Sequence, residues 1–292
     1  MSSASDQRGP EHNSGLLDDN RPHNENCGKR DETGGLSPRD FDAAIFDMDG
    51  VITRTAAVHS LAWKRMFDEY LAVRAASHHE PFTEFTHTYD YRTYVDGRPR
   101  YHGVAAFLKS RGIELPYGSP EDSPERETIC GLGNRKNGHF HRIIESEGVG
   151  LYDSTIALIQ ELQQRGIRIG LATSSKNSVA ILDKTHIAHL FSTAVDGVVS
   201  EKLGLKGKPE PDIFVTAARS LGVPCARAIV VEDAVSGVQA GARGGFGLVI
   251  GVARENNGAE LRASGADLVV RDLAETSLEE ISRLVRAKRA GV

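Results

Sequence analysis

The stretch Ala43-Ala44-Ile45-Phe46-Asp47-Met48-Asp49-Gly50-Val51-Ile52-Thr53 joins a short apolar run to two acids one residue apart. The apolar run reads as a buried strand, with Asp47 and Asp49 at its end. Carboxylates in such a place are costly unless something cationic meets them. Gly50 permits a sharp turn away from the strand. Ca²⁺ loops also use Asp-x-Asp-Gly spacing, but they continue with more oxygen ligands and a Glu at the twelfth position. Here that position is Val58, so the Ca²⁺ reading fails.

Downstream, Ile167–Ala172, Ala228–Val231 and Gly247–Ile250 read as further strands, and Ala266–Val270 as a short edge strand. Helical spacing lies between them. Ile156, Leu158, Ile159 and Leu162 precede Gly166, and Ile213, Phe214, Ala217, Ala218 and Leu221 precede Gly222. Apolar strands alternating with amphipathic helices predict an α/β fold with a doubly wound, mostly parallel, Rossmann-like sheet. From about residue 57 the alternation stops. Leu61, Met66 and Leu71 suggest one helix, Val104, Phe107 and Leu108 another, and His and Tyr cluster at 78–102. This interval leaves from the end of the Asp-Met-Asp strand, where open α/β sheets bind ligands. It predicts an inserted α-helical cap over 58–146, hinged by Gly and Pro near its ends, on a core of 41–57 and 147–292. Residues 1–40 are polar and nearly free of aliphatic runs, so they are predicted to be a disordered tail. His12 and His23 read as solvated tail residues rather than metal ligands.

Composition narrows the function classes. The 292 residues carry 35 basic and 40 acidic side chains, a formal charge of −5, which makes no case for a nucleic-acid surface. Cys27, Cys130 and Cys225 lack metal or redox spacing, so no disulfide scaffold is expected. No apolar run approaches the roughly 20 residues that span a bilayer. The N-terminus lacks a secretory segment. The expectation is a soluble cytoplasmic protein without membrane partners, and nothing demands an oligomer, so a monomer is expected.

Three further strings carry chemistry. Ala172-Thr173-Ser174-Ser175-Lys176-Asn177 offers hydroxyls and backbone N–H groups at a helix start, which form an anion site or an ordinary cap. Gly207-Lys208-Pro209-Glu210-Pro211-Asp212 sets a lysine before a helix stiffened by two prolines. A fixed ammonium there stabilises a transferring phosphoryl group; the plainer reading is a surface lysine. Val230-Val231-Glu232-Asp233-Ala234 again ends a strand in acids, as metal ligands or as caps of a helix near Val235. All four motifs are expected at strand ends. If those strands are neighbours, Asp47, Asp49, Glu232 and Asp233 converge, and so many acids near a phosphate cannot stay ionised without a metal. Mg²⁺ suits oxygen donors with retained waters and a substrate phosphate. One carboxylate of the Asp-x-Asp pair can attack phosphorus while the other exchanges a proton. The motifs together point to Mg²⁺-dependent phosphoryl transfer through an aspartyl nucleophile.

With these motifs in this order, residues 41 to about 275 resemble the haloacid dehalogenase superfamily of aspartyl phosphotransferases, and within it the β-phosphoglucomutase group. The closer likeness rests on Phe46-Asp47-Met48-Asp49-Gly50-Val51-Ile52-Thr53, on His59 with Ala62-Trp63-Lys64, and on Ser175-Lys176-Asn177. Lys208-Pro209-Glu210-Pro211-Asp212-Ile213-Phe214 and Glu232-Asp233-Ala234 with Gly237 add to it. The resemblance implies that Asp47 is the phosphorylated nucleophile and binds Mg²⁺. It makes Asp49 the general acid/base, with its backbone carbonyl on the metal, and has Thr173 and Lys208 hold the transferring group. Glu232 and Asp233 would complete the metal shell. Ser175, Lys176 and Asn177 would hold the second phosphate, helped by Lys136 and by a cap arginine, Arg98 or Arg100. His59 would couple cap closure to proton transfer. Against these roles, Lys136 and Arg98 read equally as surface charges, His59 as packing near Trp63, and Trp63 as cap core rather than a sugar platform. Two features depart from the group: Arg54 replaces a usual acid, and the 78–102 stretch is longer than in compact mutases.

The leading expectation is a phosphosugar mutase taking β-glucose 1-phosphate to glucose 6-phosphate through a bisphosphate. One rival keeps the same core but lets water accept the phosphoryl group, giving a sugar phosphatase. Another is a non-enzymatic phospho-acceptor module, against which the inserted cap argues.

Overall fold

The computed structural model describes residues 40–291. The expected tail, with His12, His23 and Cys27, therefore lies outside the described residues apart from Asp40. The chain runs β1 (Ala43–Phe46), α1 (Ala56–His78), a π-helical segment (His87–Val95), α2 (Arg100–Ser110), α3 (Ile129–Glu147) and α4 (Asp153–Gln164). It continues β2 (Arg168–Ala172), α5 (Ser178–Thr185), β3 (Thr193–Val195), α6 (Gly197–Leu203), α7 (Asp212–Ser220) and β4 (Ala228–Glu232). Then follow α8 (Val235–Arg243), β5 (Leu248–Val252), α9 (Gly258–Ala263), β6 (Leu268–Val270) and α10 (Leu278–Ala290).

The six strands form one parallel sheet in the order β3-β2-β1-β4-β5-β6. β1 is buried along its whole length, and its alternate residues feed two different cores. Ala44 and Phe46 face Leu158, Ile159 and Leu162 of α4 and Ile281 and Val285 of α10. Ala43 and Ile45 face Ile213, Phe214 and Ala217 of α7 and Val238 of α8. This period-two split is why the strand shows no polar face in sequence. The chain winds outward from β1 to β2 and β3, then crosses to β4. The reversal of strand order falls between β1 and β4, the crevice where such sheets bind ligands.

The register aligns the strand ends. Phe46 pairs with Leu171 on one side and Val231 on the other, so Asp47, Thr173 and Glu232 emerge from neighbouring positions. The helices inserted after β1 build a third core from Trp63, Met66, Phe67, Phe85, Tyr91, Phe107 and Leu132 among others. The two chain crossings into this cap run side by side. Arg54 N–H donates to the Gly150 carbonyl at 2.8 Å, and Tyr152 N–H to the Ile52 carbonyl at 2.9 Å. The Arg54 guanidinium lies over the Tyr152 ring, 4.5 Å from its centroid, so it ties one crossing to the other.

Two sequence expectations need correction. β3 was not anticipated; it is three residues long and only its last residue is buried. The Lys208 string follows helix α6 rather than a strand, because the crossover from β3 to β4 contains two helices. Cys130 and Cys225 are free. Among the described residues no helix is long and apolar enough to cross a membrane.

Candidate active site

Every residue singled out from the sequence as a site candidate lines one cavity of about 90 Å³ at the carboxyl ends of β1, β2 and β4. At its floor, Lys208 Nζ donates to Asp47 Oδ1 and to Glu232 Oε1, each at 2.5 Å. All three side chains are almost wholly buried. Glu232 Oε2 also accepts from the Ala234 N–H at 2.6 Å. A Cβ on Gly237 would fall 1.7 Å from Glu232 Oε1, so this helix position must be glycine for the carboxylate to lie there. Burial would lower Lys208, but the charges of Asp47 and Glu232 outweigh it and raise the ammonium above its ordinary value. Burial pushes the Asp47 carboxyl well up, against the pull of Lys208 and with the push of Glu232 and Asp49. Asp233 is driven up by burial and then by Glu232, Asp96 and Asp47. It packs over Gly50, whose φ of +82° and missing Cβ leave room for the carboxylate.

Removing the one ammonium from this floor should be costly. Lys208→Met leaves Asp47 and Glu232 buried without their partner and is expected to cost about 3–5 kcal/mol of stability. Denaturant midpoints would measure it; a loss below about 1 kcal/mol, the scale of exposed ion pairs, would contradict the buried trio.

A second chain of groups starts at Asp49. Its Oδ1 accepts from the Thr55 hydroxyl. His59 Nε2 stands 3.3 Å from the same oxygen, without the alignment of a hydrogen bond. Lys136 Nζ lies 2.6 Å from His59 Nδ1. An ammonium donating there leaves the ring proton on Nε2, facing Asp49. Burial opposes ionising Asp49, but His59, together with Thr55 and Lys136, outweighs it and holds the carboxyl below its usual range. Burial, and then the Lys136 charge, lower His59 against Asp49. Lys136 itself is lowered to about 7 by burial and then by Arg100. It sits 5.1 Å from the Trp63 ring centroid and 5.0 Å from that of Phe140, in reach of both faces. Lys136 is thus no surface charge, being 3% exposed. His59 stacks on Phe140 rather than on Trp63. Trp63 packs into the cap core against Phe67 and also lines the cavity.

At the other end, Asn137 Oδ1 accepts from Arg100 Nη2 and from Asn177 Nδ2, both at 2.9 Å. The amides before α5 already have side-chain partners: Ser175 N–H donates to Thr173 Oγ1 and Asn177 N–H to Ser175 Oγ. Lys176 leans toward α6, where its Nζ meets Glu201 Oε2 at 2.8 Å. Arg98 is exposed and donates to the Thr93 carbonyl at 3.4 Å.

Sequence reasoning missed Thr55, Tyr91 and Asp96. Tyr91 and Asp96 come from the His- and Tyr-rich cap stretch and line the cavity. Burial, followed by Glu232 and Glu255, raises Asp96 to about 7. Tyr91 is raised well above its ordinary value by burial and then by Asp96. Asp96-Gly97 carried only the signal of a turn.

This geometry meets known proteins at the level of family. Residues 41–245 match the haloacid dehalogenase-like hydrolases. A β-phosphoglucomutase of Mycobacterium bovis is 44% identical over 241 residues, 82% of this chain and 92% of its own. That of Bacillus subtilis is 33% identical over 244 residues, 81% and 92% of the two chains. The crystal structure of a β-phosphoglucomutase from Clostridium difficile shares the fold, with a TM-score of 0.68 at 23% identity over 86% of this chain and 99% of that one. The chain therefore belongs to the haloacid dehalogenase-like hydrolase family, as an enzyme of the mutase or phosphatase kind.

Proposed function

We propose that the protein is a phosphosugar mutase that converts β-glucose 1-phosphate to glucose 6-phosphate through a phosphorylated Asp47. The observation that carries this reading is the presence of two cationic ends in one cavity. Lys208 serves Asp47, while Arg100 stands beside Asn137 and Asn177 at the other end, and Lys136 lies between them, on His59 and within reach of the Arg100 charge. A bisphosphate intermediate needs both ends; a phosphatase needs one. The similar mycobacterial and Bacillus β-phosphoglucomutases support the same choice.

Asp47 attacks phosphorus, and Thr173 and Lys208 hold the equatorial oxygens. Asp49, kept ionised by His59 and Thr55, takes the proton of the attacking sugar hydroxyl and returns it when a sugar oxygen leaves. Ser175, Lys176, Asn177 and Lys136 receive the second phosphate. Arg100 is the better cap arginine, since it is held on Asn137 while Arg98 is exposed.

The acids fit a divalent ion. Asp47, Glu232, Asp233 and Asp96 share the one Lys208 charge, Asp49 stands beside Asp47, and burial with the neighbouring acids raises Asp233 and Asp47. Among the described residues no three His, Cys, Asp or Glu side chains form a ready-made cage. Mg²⁺ requires none, since it keeps waters and takes substrate phosphate oxygens with one or two carboxylates. Asp47, the Asp49 carbonyl and Asp233 would hold it. Both Glu232 oxygens already accept hydrogen bonds, which suits contact through a water. When bound, Mg²⁺ would offset the negative charge of the transferring group.

A cap over 58–146 is supported by the paired crossings at Ile52–Arg54 and Gly150–Tyr152 that flank it. The test is a product assay. Protein, Mg²⁺, β-glucose 1-phosphate and a trace of the bisphosphate are expected to give glucose 6-phosphate, with the α anomer inert. Inorganic phosphate as sole product would leave a phosphatase instead.

A further inference from the structure

The catalytic cavity has a neighbour. A second, polar cavity of about 400 Å³ lies between the π-helical segment and helices α8 and α9, with Thr93, Arg92, Ser236, Gln239 and Glu260 in its walls. That volume accommodates many waters, since one water requires only about 10–15 Å³. The two cavities share Asp96 and Arg98. Arg98 is exposed and Asp96 is the inner of the two.

Asp96 is held from several directions. Its carboxyl is hydrogen-bonded by Tyr91, and its N–H donates to the Tyr91 carbonyl at 2.9 Å. Its own carbonyl accepts from Ser236 Oγ at 3.4 Å. The next carbonyl, Gly97, accepts from Ser174 Oγ at 3.0 Å. Ser174 follows Thr173 after β2, and Ser236 lies in the first turn of α8 after β4, so the turn is pinned to the core on both sides of Asp47. A Cβ on Gly97 would lie 2.2 Å from Ser236 Oγ, a measure of how closely the turn seats. The π-helical segment is further tied to the core by Arg92 on Glu260 and by His87 on Glu255.

We propose that Asp96 is the partition that keeps the water of the side cavity away from Asp47, and so sets whether a sugar hydroxyl or water receives the phosphoryl group. This rests on the proposed chemistry at Asp47. In hydrolysis the water oxygen bonds to phosphorus and the bond from phosphorus to the Asp47 oxygen breaks. Inorganic phosphate leaves, and the water's proton passes to Asp49. A sugar hydroxyl does the same with its own oxygen. The acceptor is then decided by access, because Asp47 and Asp49 treat both alike.

The experiment loads the full chain with phosphate from the glucose bisphosphate in Mg²⁺ and follows loss of the phosphoprotein without sugar. Asp96→Ala is expected to shorten its lifetime at least about tenfold, and Asp96→Asn, which keeps the shape, by less than about twofold. The ratio of inorganic phosphate to glucose 6-phosphate in turnover should rise in the same proportion for Asp96→Ala alone. Asp96→Ser is read in its place if the alanine variant fails to fold. Unchanged lifetimes with a raised KM in both Asn and Ala variants would make Asp96 a sugar ligand and overturn the proposal. An Asn variant as short-lived as the Ala variant would also overturn it, since charge rather than bulk would then matter. The lifetime needs no isomerisation, so a wild-type enzyme that made no glucose 6-phosphate would sink the mutase reading and leave the partition tested separately.

Discussion

Asp47→Asn is expected to lower turnover of any phosphosugar by at least about 10⁴-fold while leaving the protein folded. The amide has no anionic oxygen to attack phosphorus, and the neighbouring carboxylates are committed elsewhere. Asp49 is engaged by Thr55 and His59, and Glu232 by Lys208 and the Ala234 N–H. The fold should survive because Lys208 keeps Glu232 as its partner. A raised carboxyl pKa in the folded state means that the buried Asp47 costs stability above its unfolded value, and the cost grows until the folded pKa is passed. Asparagine removes that cost, so the melting temperature at neutral pH is expected not to fall. Product formation and an intact-mass search for the phosphoprotein provide the check. Residual activity above about 1% of wild type, or a phosphate still carried by the variant, would remove Asp47 from the nucleophile's role.

The sequence made β1 and its acids legible because burial on both faces leaves an apolar run that ends abruptly in charge. The register brings Glu232 level with Asp47 and Thr173 one residue beyond it. β3 escaped because Thr193-Ala194-Val195 is too short to display a period and lies at the sheet edge. Missing it also misplaced Lys208, which arrives from the second half of that strand's crossover. The deepest gap is the cap turn. Gly97 meets Ser174 across 77 residues, and Asp96 meets Ser236 across 140. Such pairs are created by the cap folding down on the core and leave no local pattern. His59 and Lys136 are a similar case: the motifs named both, but only packing showed that Phe140 lies beneath both and that one proton links them.

Lys136 is where function and stability oppose each other. Its folded pKa is about 7 against an ordinary 10.5, chiefly through burial and then Arg100. Between those values the unfolded chain binds a proton that the folded protein does not, so stability rises with pH. The penalty is fully present below about pH 7, on the order of 5 kcal/mol, and fades as pH approaches the unfolded value. Lys136→Met, whose thioether suits the Trp63 and Phe140 rings, is therefore expected to raise the melting temperature at pH 6. The gain should shrink by about half at pH 9. Catalysis should move the other way. A phosphate arriving beside Lys136 supplies the missing counter-charge, so substrate binding takes up a proton near neutral pH, and the variant loses that attraction. A fall in kcat/KM of about 10²-fold is expected, together with loss of the proton uptake seen by calorimetry in buffers of different ionisation heat. A variant destabilised equally at pH 6 and pH 9 would show that Lys136 carries no buried charge, because only a lysine whose proton is lost on folding makes the gain depend on pH.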